Sequence, residues 1–151
     1  MGAILFYHLT RSSVEETLAL LIGKSRSAGW RVAVRGTDHA RLEQLDQKLW
    51  LGPEDAFLAH GLAGGAHDAD QPVLLTTGDA ANGANVVMSV DGADISPAEA
   101  DSFERLCILF DGMDPEAVQH ARGQWKKVKE SGAKAEYWSQ ENGPWEKKAE
   151  T

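Results

Sequence analysis

The stretch FERLCILFDGMDPEAVQHARGQWKKVKESG, residues 103–132, carries the clearest strand-to-helix signal in the chain. Leu106-Cys107-Ile108-Leu109-Phe110 is an uninterrupted apolar run, as in a strand buried on both faces of a sheet. Asp111-Gly112 marks a turn, and Asp114-Pro115-Glu116 starts a helix. Asp114 can accept a hydrogen bond from an unpaired N–H of the first turn. Pro115 loses nothing at the first helical position, and Glu116 suits the positive end of the helix dipole. Gly132 is a natural stop.

That helix carries two adjacent stripes. Val118, Ala121, Trp125 and Val128 recur at spacings of three and four and make an apolar seam. Arg122, Lys126 and Lys129 run beside it, with Lys127 nearby. Like charges four apart repel by roughly 0.2–0.5 kcal/mol per pair, partly offset because cations favour the C-terminal half of a helix. The residues leave two readings open: a solvated helical face, or a groove for something acidic with an apolar end, because Trp125 sits against the cations.

At 151 residues the chain is most simply one domain, 1–151, with a tail from about residue 140 that has room to move. A net charge of −8 argues against non-specific nucleic-acid affinity, which needs clustered Lys and Arg. The single cysteine, Cys107, cannot form an internal disulfide, which fits a reducing cytosol. The opening MGAILFYHLT lacks the basic flank of a signal peptide, and no apolar run approaches the ~20 residues of a membrane span. A cytoplasmic protein is expected.

Ala3 to Leu9 reads as a strand. Ser13-Val14-Glu15-Glu16 is a capping box, followed by Val14, Leu18, Leu21 and Ile22 at helical spacing and closed by Gly29. Trp30 to Arg35 is a second strand. Thr37-Asp38 caps a second helix with a Leu42, Leu45, Leu49 stripe that ends at Trp50. This alternation predicts a parallel sheet covered by helices. From Leu51 to Gln71 the pattern gives way to a long loop. Pro72 to Thr76 and Asn85 to Val90 are two more strands, too close for a helical crossover, so a hairpin or an arch joins them and the sheet can be mixed. Ser96-Pro97-Ala98-Glu99 starts a short helix. Tyr137-Trp138 and Pro144-Trp145 lie in a polar tail with no strand assigned.

Catalytic chemistry is sparse. Gly61-Leu62-Ala63-Gly64-Gly65 has the glycines of a phosphate loop but no following Lys-Ser or Lys-Thr. The turn from Thr10 to Val14 has no glycine, so a dinucleotide fingerprint is missing. His60, His67, Asp68 and Asp70 are potential metal ligands on a loop without helical spacing, and solvated loop residues explain them more simply than zinc. Cys107 has no acid or His near it in sequence, and His8 and His120 have no obvious partner.

Several segments in order resemble one family. They are Phe6-Tyr7-His8-Leu9, Leu45-Asp46-Gln47-Lys48-Leu49-Trp50, Phe57-Leu58-Ala59-His60, Pro72-Val73-Leu74-Leu75, LFDGMDPEAVQHARGQWKKVKESG and Tyr137-Trp138. Together they look like the chi subunit of bacterial DNA polymerase III holoenzyme. The resemblance implies a Rossmann-like three-layer α/β sandwich, its sheet mostly parallel with helices on both faces, without a nucleotide-binding loop. It implies a non-catalytic clamp-loader accessory subunit with no cofactor or metal. Such a subunit binds the C-terminal tail of single-stranded DNA-binding protein and pairs with the psi subunit; its link to DNA is indirect, and it has no membrane partner.

That tail is acidic and ends in an apolar residue with its terminal carboxylate, a ligand that wants cations beside an apolar notch. By the resemblance, Arg122, Trp125, Lys126 and Lys129 form its site. Some relatives carry a lysine at the position of Val118, one cation more than this chain has there. Trp50 and Phe57 match aromatics outside the helix, and the position of Phe57 is associated with the psi-facing surface; core packing explains both equally well. Two rival readings stand beside this one. The basic stripe with Trp125 and Tyr137 could bind single-stranded nucleic acid directly, or the His60–Asp70 loop could serve a small metal-dependent enzyme.

Overall fold

In the computed structural model the described residues are 3–50, 61–62, 68–78, 82–140 and 145–150, with every side chain in those ranges except those of Leu49, Trp50 and Asp68. The elements in chain order are β1 (Ala3–Leu9), α1 (Val14–Ser27), β2 (Val32–Arg35), α2 (His39–Trp50), β3 (Gly61–Leu62), β4 (Val73–Thr76), β5 (Val86–Ser89), β6 (Arg105–Asp111), α3 (Pro115–Ser131), β7 (Ala135–Ser139) and β8 (Glu146–Glu150). Short 3₁₀ turns occupy Asp68–Asp70 and Pro97–Ser102. The strands form one sheet in the order β3-β4-β2-β5-β6-β1-β7-β8. Every pairing is parallel except β7 with β8.

The uninterrupted apolar run makes β6 a central strand. Leu106, Ile108 and Phe110 face one layer, Cys107 and Leu109 the other, and all five are buried. On one face, Leu5 and Leu9 meet Leu18 and Ile22 of α1 and Leu42 and Leu45 of α2. On the other, Ile4 and Phe6 meet Ala121 and Val128 of α3, with Ala100 of the second 3₁₀ turn. The three-layer sandwich is thus built by strands whose side chains alternate between two apolar layers.

The helix boundaries follow local chemistry. The Ser13 hydroxyl accepts from the Glu16 N–H at 3.1 Å, and Asp38 Oδ1 accepts from the Ala40 N–H at 3.0 Å. Asp114 Oδ1 accepts from the Glu116 N–H at 3.0 Å, and Gly132 ends α3 in the left-handed region at φ +78°.

Two expectations are corrected and one open alternative is decided. β4 and β5 flank β2 in parallel, so of the two alternatives for their connection the hairpin is ruled out and the arch stands. That connection is pinned where β2 starts: Asn82 Nδ2 donates to the carbonyls of Val32 (3.0 Å) and Gln71 (2.9 Å). The polar tail supplies β7, parallel to β1, and β8, whose Trp145 flank meets the Tyr7 ring edge-on at 5.4 Å. Tyr137 and Trp138 are adjacent and flanked by Glu136 and Ser139, so β7 lacks the alternation of a half-buried strand and gains its strand geometry from pairing with β1. Finally, β2 begins at Val32 and not Trp30, whose ring lies instead 5.4 Å from the Arg105 guanidinium.

Candidate functional site

α3 lies across the sheet with its apolar seam inward. Ala121, Gln124 and Val128 are buried, and Val118 and Trp125 are half-buried. On one flank Gln124 Nε2 donates to the Ala93 carbonyl at 3.3 Å. On the other, the Trp125 indole meets Phe6 edge-on (5.3 Å, 83°) and Tyr137 edge-on (5.7 Å, 83°). At about 100° per residue, Lys129, Arg122 and Lys126 follow Trp125 round the helix on this second flank, and Lys127 falls on the far side. The side chains predicted for the site are therefore brought together: one half-buried indole bordered by three exposed cations.

These cations are unlike the rest of the chain's fifteen Lys and Arg residues. Arg35 pairs with Glu99, Arg41 with Glu15 and Asp91, Lys48 with Glu15, Lys147 with Glu150 and Lys148 with Glu146. Arg11, Arg26 and Arg31 donate to backbone carbonyls, and Arg105 lies over Trp30. Among the described residues, Arg122, Lys126, Lys127, Lys129 and Lys134 have no such partner, and neither does Lys24 on α1. In a chain of net charge −8, five of the six described cations with neither an ion pair nor a hydrogen-bond or ring partner are thus gathered on α3 and the turn after it. The sequence reading missed Lys134, an isolated cation two residues past the helix stop.

A second candidate location is the crevice where the strand order reverses. β1 is followed by α1 on one face and β6 by α3 on the other, so a cleft opens between the carboxyl ends of these neighbouring strands. It measures about 620 Å³ and is lined by Glu15, Asp91, Asp111, Asp114 and Glu116, with Arg41 already committed to Glu15 and Asp91. Burial alone would raise the Glu15 carboxyl, but the hydrogen bond and charge of Arg41, with Lys48, hold it below the ordinary carboxylate range. A phosphate would meet a negative field here.

The β1–α1 turn, where nucleotide-binding relatives of this architecture aim backbone N–H groups at phosphate, is internally satisfied. The Thr10, Arg11 and Ser12 N–H groups all donate to Gln140 Oε1, at 3.3, 3.1 and 3.1 Å. Gln140 Nε2 donates to Ser12 Oγ at 3.0 Å, and Arg11 Nε to the Gln140 carbonyl at 3.2 Å. No sequence signal points to Gln140, because its partners lie about 130 positions away.

The remaining candidates fall into place. Cys107 is 3% exposed and burial pushes its thiol up to about 12, so it is an inert core residue. His8 Nδ1 shares a hydrogen bond of 2.8 Å with the Tyr137 hydroxyl, and His120 Nε2 lies 3.5 Å from Asp94 Oδ1, so both have partners that the sequence reading did not find. His60, His67 and Phe57 lie outside the described residues, as does the Trp50 side chain. Among the described residues no three His, Cys, Asp or Glu side chains converge as a metal site, and no helix is long and apolar enough to cross a membrane.

Compared with known proteins, residues 1–136 match the family model described as DNA polymerase III chi subunit, HolC. β8 lies beyond the matched residues. No curated protein matches the chain.

Proposed function

The chain belongs to the DNA polymerase III chi subunit family, a non-catalytic accessory subunit of the replicative polymerase, and from that premise we propose that α3 receives the acidic C-terminal tail of single-stranded DNA-binding protein. The observation that carries this reading is the concentration of uncompensated cations beside one half-buried indole. Arg122, Lys126 and Lys129 repel one another along the helix, none of them makes an ion pair among the described residues, and an acidic peptide would offset that repulsion. Trp125, fixed edge-on against Phe6 and Tyr137, offers a pre-set apolar surface for the tail's terminal side chain.

The second half of the proposal is that a psi subunit links the chain to the clamp loader, in the cytoplasm, through a surface that includes Trp50 and Phe57. The support is family membership, and it is testable separately by replacing either aromatic and assaying psi co-purification. Loss of tail binding in those variants would contradict the separation of the two surfaces.

Fluorescence anisotropy with a labelled tail peptide tests the α3 site. Exposed ion pairs contribute about 0.2–1 kcal/mol each, so Arg122→Ala with Lys126→Ala should weaken binding about 2- to 30-fold. An unchanged dissociation constant overturns the assignment. Tight binding of oligo-dT by the isolated chain would instead favour a direct nucleic-acid groove.

A further inference from the structure

We propose that β8 is a strap: it opens from the sheet as one unit while the other strands stay paired, and when closed it shields the β7 edge from a second copy of this chain. β8 is the last strand of the sheet order and the one joined antiparallel. None of its residues is buried; Lys147 to Glu150 are exposed and Glu146 is half-buried. Few buried apolar contacts and a solvent-exposed pairing are what let a segment open locally. Its apolar anchor among the described residues is the preceding Trp145, half-buried, whose ring meets Tyr7 edge-on at 5.4 Å and 86°.

The charges of β8 stiffen it without fastening it. Lys147 Nζ lies 3.1 Å from Glu150 and Lys148 Nζ 3.3 Å from Glu146, so both ammonium groups are paired within the strand itself. Across the pairing Glu136 faces Glu150 and also lies in the field of Lys147, a repulsion and an attraction that offset. The ladder is broken as well. Ala149 stands opposite Tyr137 and Lys147 opposite Trp138, which leaves Lys148 as an extra residue that bulges. β7 is held differently: Ala135 and Ser139 are buried, five residues pair with β1, and Tyr137 stacks on Phe6 at 6.1 Å and shares a 2.8 Å hydrogen bond with His8. The weak seam therefore runs between β7 and β8.

What the strap covers explains its composition. β7 reads Ala-Glu-Tyr-Trp-Ser, with one charge and two aromatic rings, the kind of edge that templates pairing with another chain. β8 reads Glu-Lys-Lys-Ala-Glu, four charges in five residues interrupted by a bulge, the kind of edge that does not. A second copy is the occupant because opening uncovers the same strand in each molecule, and a two-fold axis makes their pairing self-complementary.

Amide hydrogen exchange of the full chain under native conditions reads the strap directly. The Gln140 N–H donates to the His8 carbonyl, and the Lys134 carbonyl accepts from the Ile4 N–H. By the two-residue period of a strand, the Glu136 and Trp138 N–H groups then face β1, and those of Tyr137 and Ser139 face β8. Corrected for intrinsic rates, Tyr137 and Ser139 should exchange at least about 10-fold faster than Glu136 and Trp138, because only the first pair is released when β8 opens. Trp145→Ala should quicken Tyr137 and Ser139 a further 2- to 12-fold or about that, and leave Glu136 and Trp138 unchanged. One common rate for all four amides, or equal quickening of all four by the variant, would mean that β8 leaves only with the whole sheet and overturns the strap. Analytical ultracentrifugation tests the shielding: Trp145→Ala should self-associate at a lower protein concentration than wild type. Equal sedimentation of the two at every concentration overturns it. Should Trp145→Ala fail to fold, Trp145→Leu takes its place in both measurements, and the wild-type rates decide the opening in any case.

Discussion

A β-carbon placed on Gly112 would lie 2.1 Å from Cδ2 of His8 and 2.8 Å from the carbonyl oxygen of Leu9. The turn that leaves β6 thus passes directly over the end of β1, with the Gly112 N–H donating to that same Leu9 carbonyl at 2.7 Å. His8 cannot swing away without giving up its bond to Tyr137, and the carbonyl belongs to the sheet. Gly112→Ala is therefore expected to destabilise the fold by about 1–3 kcal/mol in urea unfolding. Gly123, on the exposed side of α3 with nothing within 4 Å of its would-be β-carbon, should show the reverse: Gly123→Ala gains about 0.5–1 kcal/mol from helix propensity.

Gln140 presents a second case where one side chain holds a turn. Replacing it with Ala leaves the Thr10, Arg11 and Ser12 N–H groups without their shared acceptor, at an expected cost of about 1–3 kcal/mol. Amide hydrogen exchange should accelerate at those three positions specifically. Equal protection of the three amides in wild type and Gln140→Ala would refute the arrangement.

These two positions show where the sequence was readable and where it was not. β6 and α3 could be read directly, because an apolar run, an Asp-Pro-Glu start and a terminal glycine are local signals that tertiary structure reinforced. The stripe of Arg122, Lys126 and Lys129 beside Trp125 could be read for the same reason, being fixed by helical spacing. β7 and β8 could not, since Tyr137-Trp138 and Trp145 are strand residues only in the company of β1. The same holds for the contacts His8–Tyr137 and Gln140–Ser12, which join residues about 130 positions apart. Local periodicity carries no information about such pairs.

Glu15 gives a pH dependence with a definite sign. Burial opposes its ionisation, yet the hydrogen bond and charge from Arg41, with Lys48, hold its folded-state carboxyl below the ordinary carboxylate range. A group depressed in the folded state contributes stability above its unfolded pKa, and that contribution disappears as pH falls through the folded value. Thermal melts of wild type and Glu15→Gln should differ most at neutral pH, with wild type higher. The two curves should draw together on acidification below about pH 4. A gap that persists or widens in acid would contradict the assigned role of Arg41.

Val118 tests the electrostatic account of α3 by addition. It sits one turn before Arg122 and close to Trp125 in helical rotation, half-buried at the margin of the seam. Val118→Lys would extend the cationic stripe, and its methylene stem can lie along the apolar margin that the valine now covers. One more exposed ion pair contributes about 0.2–1 kcal/mol, so tail-peptide affinity should rise about 1.4- to five-fold at low ionic strength. The gain should shrink toward physiological salt, where exposed charges are screened over about 8 Å. The added cation also repels Arg122 by a few tenths of a kcal/mol, so the unliganded variant should melt slightly lower than wild type while the peptide-bound form recovers the difference. Higher affinity that does not depend on salt would point to packing and not to charge as the organising interaction of this helix.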